Sequence, residues 1–490
     1  MKKIFYSFLT KNKYIAWLWL FYLIPALAIN LSNYPYIDDV YRRSTGVASF
    51  AHDYARYASE YLSWILNNNS HLVDVGILFP FLTSGILALS SVLLIRTFFP
   101  KDAIKWQTVL ASTILFVNPF FLEVLSFRFD NPYIAFSILV SILPFFLYRK
   151  FNSILFFFIS LICVFLMCNL YQSSSGIHII LTIFLFLYLI IEETSILHSL
   201  RFIVISAMAY ISGLLVYRLE MNFNPQLLDR GTNTTIAELD NLIPTIQKNT
   251  ELLYAVVRNE INKYWKILIL IIIILFLISL LFKVGRRSLW VLPISIFALG
   301  LSFPLSFGVN LAITGNLATD HPRYVYGLFV CVAIISIILA QLNSNKLLKI
   351  VKSTTIIFIT YGFLVFSFVY ANVLGVQKDE FEFQAGQFSQ VIRPYLKTDG
   401  QTRLVMNRLF TNSTVYYNSL QNYPILDNLV PDNANLYWPN VMWYQNISHY
   451  DVKIDHVDTM SLNFEGLTPV EDSPHYEIYQ MEDGLYIRMK

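Results

Sequence analysis

Long apolar runs alternate with short polar ones along most of this chain. A helix that crosses a bilayer needs about 20 mostly apolar residues. Eleven stretches approach that length, at roughly 13–31, 75–95, 106–122, 133–147, 154–170, 176–191, 202–217, 265–282, 289–307, 325–342 and 354–374. Only Arg149 and Lys150 divide the fourth from the fifth, and none of the eleven carries Asp, Glu, Lys or Arg within its core. Beyond 374 the pattern changes. Residues 379–396 read as a helix, Arg403–Asn407 as a strand, and Tyr476–Met481 with Leu485–Met489 as a hairpin turned by Glu482-Asp483-Gly484. Two polar stretches also carry helical stripes. Val47, Phe50, Tyr54, Tyr57, Tyr61 and Ile65 recur at three- and four-residue steps, with His52, Asp53, Arg56, Glu60 and Ser63 on the other faces. That spacing predicts an amphipathic helix lying in the membrane interface. A weaker stripe runs through Leu252, Val256 and Ile261, and no internal repeat is present.

Composition agrees with a lipid-embedded chain. Of 490 residues, 56% are apolar, 16% aromatic and 14% charged, against about 25% charged in soluble domains. A soluble enzyme and a disordered scaffold are excluded. The net charge of +3 offers no footprint for nucleic acid. Cys163, Cys168 and Cys331 all lie in apolar stretches, so they form neither a disulfide framework nor a metal-ligand set. Lys2, Lys3, Lys11 and Lys13 precede the first apolar run without a small-residue cleavage site after it, which predicts a retained anchor.

The basic residues orient the chain. With the amino terminus cytoplasmic, the inner segments collect Lys2, Lys3, Lys11, Lys13, Arg96, Lys101, Lys105, Arg149, Lys150, Arg201, Lys283, Arg286, Arg287, Lys346, Lys349 and Lys352. The others fall mostly in three long outer stretches, 32–74, 218–264 and 375–490. The expected fold is a polytopic α-helical membrane protein of about 11 transmembrane helices, residues 1–374, with an external α/β domain over 375–490.

Four polar groups fall on the outer side, each in a loop or just after a span. The first is Tyr36-Ile37-Asp38-Asp39-Val40-Tyr41-Arg42-Arg43. One of its carboxylates can serve as a general base, and its arginines can bind phosphate. Neighbouring residues diverge on a helix or a strand, so Asp38 and Asp39 cannot share one job. A plain helix start, with Asp38 as cap and pairs Asp38–Arg42 and Asp39–Arg43, fits the same spacing. The second, Ser126-Phe127-Arg128-Phe129-Asp130-Asn131-Pro132, follows Glu123 and reads either as a turn before a helix or as an arginine and carboxylate held beside the first group. The third, Asn169-Leu170-Tyr171-Gln172-Ser173-Ser174-Ser175, is a hairpin connection or a grip on sugar hydroxyls. The fourth, Asp320-His321-Pro322-Arg323-Tyr324, is an interfacial anchor or a phosphate site built on Arg323 with His321 nearby.

An acidic pair just outside the first span, in a long first external loop, resembles the GT-C class of membrane glycosyltransferases. Ile37-Asp38-Asp39, Phe127-Arg128-Phe129-Asp130-Asn131-Pro132 and Leu170-Tyr171-Gln172 more specifically resemble the type II, serotype-converting O-antigen glucosyltransferases. The resemblance covers the chain to about residue 374. It implies transfer of glucose from undecaprenyl-phosphate-glucose to a sugar of a lipid-linked O-antigen, at the periplasmic face of the bacterial inner membrane. A donor synthase and a donor flippase are then required partners. Asp38 or Asp39 would be the base, in an inverting displacement. Arg42, Arg43, Arg128, Asp130, Asn131, Tyr171, Gln172, His321, Arg323 and Tyr324 would bind substrate. No cofactor is expected, and a divalent cation at the acidic pair stays open.

Two rivals remain at this point. A polysaccharide polymerase would centre its arginines in a large loop, and 218–264 holds Arg218, Arg230, Lys248 and Arg258. A lipid-linked sugar flippase or transporter would carry polar groups along a path through the membrane, which this chain does not show.

Overall fold

The computed structural model describes residues 12–224, 235–398, 400–459, 462–464 and 466–490. Lys2, Lys3, Lys11 and Arg230 lie outside the described residues.

Every apolar stretch is helical, but the stretches are not eleven equal rods. Among the described residues eight helical runs are long and apolar enough to cross a membrane: Tyr14–Leu31, Leu78–Phe98, Asn131–Lys150, Ser153–Leu170, Gln172–Ile191, Ile196–Met221, Lys263–Leu305 and Lys346–Tyr395. The 43-residue run Lys263–Leu305 contains two of the expected stretches, divided at Gly285, whose φ is 56°. Gly327–Gln341 has only 15 residues. The carbonyls left without helical partners at its end are closed by two lysines. Lys105 Nζ donates to Gln341 O at 2.5 Å, and the buried Lys352 Nζ donates to Leu342 O at 2.5 Å.

The third stretch departs most from expectation. Trp106–Leu115 and Pro119–Ser126 meet at a bend of 63°, so the count becomes nine only if this pair is one broken span. Asn118 explains the break. Its side-chain N–H groups donate to Ile114 O at 3.1 Å and Leu115 O at 3.0 Å, while its carbonyl oxygen accepts from Phe121 N–H at 3.1 Å. One buried amide thus satisfies orphan groups on both half-helices, and Pro119 opens the second where no N–H is needed.

The striped segment after the first span is two helices rather than one, Phe50–Tyr54 and Tyr57–Asn67, divided at Ala55, which has a φ of 53°. Glu60 caps the first through Phe50 N–H at 2.7 Å and Ala51 N–H at 3.1 Å. Phe50 is buried, whereas Val47, Tyr61 and Ile65 stay exposed, so the stripe divides between core and exterior. Of the weaker stripe, Leu252 and Val256 lie on helix Leu242–Asn259, where Val256 is buried and Leu252 only partly so, while Ile261 is buried beyond the helix end.

The helix Lys346–Ile392 has 47 residues. At 1.5 Å per residue it is about 70 Å long, more than twice the hydrocarbon thickness. It therefore passes through residue 374 unbroken, and the helix expected over 379–396 is its outer end. There it enters a second core, with Phe381 stacked on Trp443 at 4.1 Å and edge-on to Phe410 at 5.1 Å. This core backs a five-stranded mixed sheet of order β2-β1-β5-β4-β3. β1 (Thr402–Met406) runs parallel to β2 (Val452–His456) and to β5 (Gly484–Met489). β4 (Tyr476–Met481) pairs antiparallel with β5 and with β3 (Glu471–Asp472). The β1 strand and the β4–β5 hairpin sit where the alternation placed them.

Candidate active site

The four polar groups meet at one end of the bundle. After the first span the chain turns sharply at Ile37, whose φ of 44° is rare for a β-branched residue. Such a conformation costs about 1–3 kcal/mol and persists only where its surroundings enforce it. Helix Asp38–Thr45 begins immediately afterwards, with Ile37 rather than Asp38 at the cap position. It ends at Gly46, with a φ of 67°, where any Cβ would overlap the His71 ring.

The two acids do different things. Asp39 is fully buried and accepts the backbone N–H of Arg128 at 2.9 Å and of Phe129 at 3.4 Å. It pins the second polar group to the first. Burial pushes its carboxyl up to about 7, against the pull of Arg43 and the Arg128 N–H. Asp38 is 29% exposed, lies 3.8 Å from Arg42, and accepts no hydrogen bond among the described residues. Its charge is felt by Arg42, Arg323, Asp130, Tyr54 and Tyr437, residues of the same cluster.

Two buried ion pairs flank it. Arg42 holds Asp130 at 2.5 Å and lies over the Phe50 ring at 4.6 Å. Arg323 holds the fully buried Glu123 through its guanidinium at 2.5 Å and its own N–H at 2.7 Å, and His321 adds a contact at 3.1 Å. The Arg323 guanidinium is sandwiched by Phe127 at 4.3 Å and Tyr324 at 5.0 Å. Arg43 and Arg128 share a third acid, Asp74, at 3.0 and 2.6 Å. Burial opposes the charge on Asp74, but the Gly76 N–H and the two guanidiniums outweigh it and hold its carboxyl low. Arg128 also donates to Asn30 O at 2.7 Å and lines a narrow crevice with Ser32, Tyr36 and Ser126.

The third group joins through Gln172. Its amide accepts from Arg56 Nε at 2.8 Å and donates to Tyr54 O at 2.9 Å and the Tyr217 hydroxyl at 2.7 Å, so it braces the loop. Tyr171 lies under Arg56 at 4.8 Å, and its buried hydroxyl has no partner among the described residues. Asn131 accepts from Thr83 Oγ1 at 2.7 Å and donates to Leu125 O at 3.4 Å, facing the helix packing and not Asp38. Asp74, Arg56 and Tyr437 were not singled out by motif. Arg56 was legible only as a polar-face residue of the striped helix. Among the described residues, no three His, Cys, Asp or Glu side chains are grouped to hold a metal ion.

The arrangement is a partly exposed carboxylate, free of hydrogen bonds among the described residues, in a cluster with paired guanidiniums that lie over aromatic rings. It can take a proton from a hydroxyl while cations stabilise an anion forming nearby. A model of the Glucosyl transferase GtrII family matches residues 27–383, which include every residue of this cluster except Tyr437. The chain belongs to this family. A comparison with curated proteins found no match. In this glucosyl transferase the family-shared stretch thus takes in the end of helix Tyr14–Leu31, the apolar helices from Leu78 to Leu305, most of Lys346–Ile392 and the four polar groups, and the five-stranded sheet lies wholly beyond it.

Proposed function

We propose that this glucosyl transferase moves a glucosyl group from undecaprenyl-phosphate-glucose to a sugar of a lipid-linked O-antigen, the reaction that converts serotype. The site then faces the periplasm from the bacterial inner membrane, with the amino terminus cytoplasmic and the sheet unit periplasmic. A synthase and a flippase supply the donor.

Asp38 carries the reading. Among the described residues it is the acid of the cluster that combines exposure with freedom from hydrogen bonds; it lies 3.8 Å from Arg42, and its charge reaches Arg323. Asp38 takes the proton of the acceptor hydroxyl as that oxygen bonds to the anomeric carbon. The bond from that carbon to the phosphate oxygen breaks, its electron pair stays on the phosphate, and undecaprenyl phosphate leaves. Attack opposite the leaving group inverts the anomeric centre. Positive charge at the sugar and negative charge on the phosphate grow together, so Arg323, with the unpartnered Tyr171 hydroxyl beside it, suits the phosphate. Arg42 and Asp130 keep helix Asp38–Thr45 in register. The basic residues of the 218–264 loop do not gather here: Arg218, Lys248 and Arg258 are exposed and outside the cluster.

The test is transfer by the purified full chain in proteoliposomes, with undecaprenyl-phosphate-[14C]glucose as donor and a lipid-linked O-antigen repeat as acceptor. Wild type should label the acceptor, and Asp38→Asn should lose about 10²- to 10⁴-fold in rate. Wild-type rates from Asp38→Asn would sink the base assignment.

A further inference from the structure

The family match ends at residue 383, yet one element beyond it stands against the acidic pair. Helix Trp438–Ser448 packs on helix Asp38–Thr45, and Asn446 Nδ2 donates to Ser44 Oγ at 2.7 Å. On the other flank the Tyr36 hydroxyl donates to Leu429 O at 2.7 Å, and Trp443 meets Tyr34 edge-on at 5.3 Å. The C-terminal unit is therefore clamped on both sides of Asp38.

Between these clamps the chain presents Tyr437 and Trp438. Tyr437 is half-buried, and its hydroxyl has no hydrogen-bond partner among the described residues. Tyr437 directly precedes the helix that packs on Asp38–Thr45; burial first, then the carboxylates of Asp432 and Asp38, keep its proton in place, so it is a donor within reach of the Asp38 charge. Trp438 is 51% exposed, whereas Trp443 and Tyr444 further along the same helix are buried. An exposed indole and a hydroxyl donor on consecutive residues match a pyranose, which shows C–H groups on its faces and hydroxyls around its rim. Rigid, amphipathic Trp and Tyr side chains give such contact at low entropic cost.

We propose that this edge of the C-terminal unit is the acceptor subsite. Trp438 stacks on a hexose ring of the acceptor saccharide, and the Tyr437 hydroxyl holds one of that ring's hydroxyls so that its neighbour reaches Asp38. The proposal rests on the reading of Asp38 as base. It divides the labour along the chain: Arg128, Tyr171 and Arg323 lie within the family-shared stretch, whereas the acceptor is chosen by residues outside it.

The experiment is a steady-state comparison in the same proteoliposome assay, with acceptor KM and donor KM measured separately. Tyr437→Phe and Trp438→Ala should each raise acceptor KM by about three- to tenfold and leave donor KM unchanged. Trp438→Tyr, which keeps an aromatic face, should return acceptor KM to near wild type, and a misfolded protein could not do so. Unchanged acceptor KM in both variants, or equal rises in both constants, overturns the subsite. Failure of the function itself would be seen elsewhere, as transfer by Asp38→Asn at the wild-type rate.

Discussion

Glu123 and Arg323, 200 residues apart, are joined twice, through the guanidinium at 2.5 Å and the Arg323 backbone N–H at 2.7 Å. The carboxylate is fully buried on the half-helix Pro119–Ser126, so the bend at Asn118 determines where this pair can form. Removing one partner of a buried pair strands the other charge, at a cost of about 3–5 kcal/mol. Glu123→Gln should therefore lower Tm in detergent sharply. Arg323→Ala should raise donor KM more than acceptor KM. Equal effects on both constants would remove Arg323 from the phosphate.

Asp39 is expected to act through structure alone. Asp39→Ala strands the N–H groups of Arg128 and Phe129, at about 1–3 kcal/mol for each buried donor left unpaired. Thermal unfolding should show that loss, and the surviving folded fraction should keep measurable transfer. Asp38→Asn should do the reverse, holding Tm while abolishing transfer. A folded Asp39→Ala protein with no activity at all would reverse the two roles.

Tyr171 separates binding from packing. A buried hydroxyl without a partner costs about 1–3 kcal/mol, so Tyr171→Phe should leave Tm unchanged or raise it. The same variant should weaken donor use, because the hydroxyl beside Arg323 is gone. A variant with both wild-type kinetics and higher Tm would make Tyr171 a packing residue.

Glu260 predicts a pH dependence. At the end of helix Leu242–Asn259 it accepts from Asn428 Nδ2 at 2.8 Å, a contact between the 218–264 loop and the C-terminal unit. Burial pushes its carboxyl up to about 7, with Asp427 and Glu123 adding to the rise and Asn428 opposing it. The folded state therefore holds this proton more tightly than the unfolded one, whose pKa is about 4.3. Stability from this group is complete below that value, declines as pH rises towards 7, and is absent above it. Glu260→Gln should flatten the fall in Tm between pH 5 and 7. An unchanged slope would show that the carboxyl titrates at its ordinary value.

The parts legible in the chain were those with a local cause. Helices follow from apolar runs, and the β4–β5 hairpin follows from alternation around Glu482-Asp483. The bend at Asn118 was hidden because its apolar neighbours read as one span; only the pairing of its amide with two half-helices breaks it. The break at Ala55 was hidden for a related reason, since stripe spacing continues across it while the backbone does not.

Sequence alone determined that this chain is built of long apolar helices, that its charges are kept out of them, and that Asp38, Asp39, Arg128 and Arg323 fall in the polar segments between, because hydropathy and charge are properties of each residue in turn. Tertiary structure decided what each does. Two adjacent aspartates have the same chemistry until one is sealed against the N–H groups of Arg128 and Phe129 and the other is left partly exposed beside Arg42. That difference comes from burial and partners far along the chain, which no local pattern encodes.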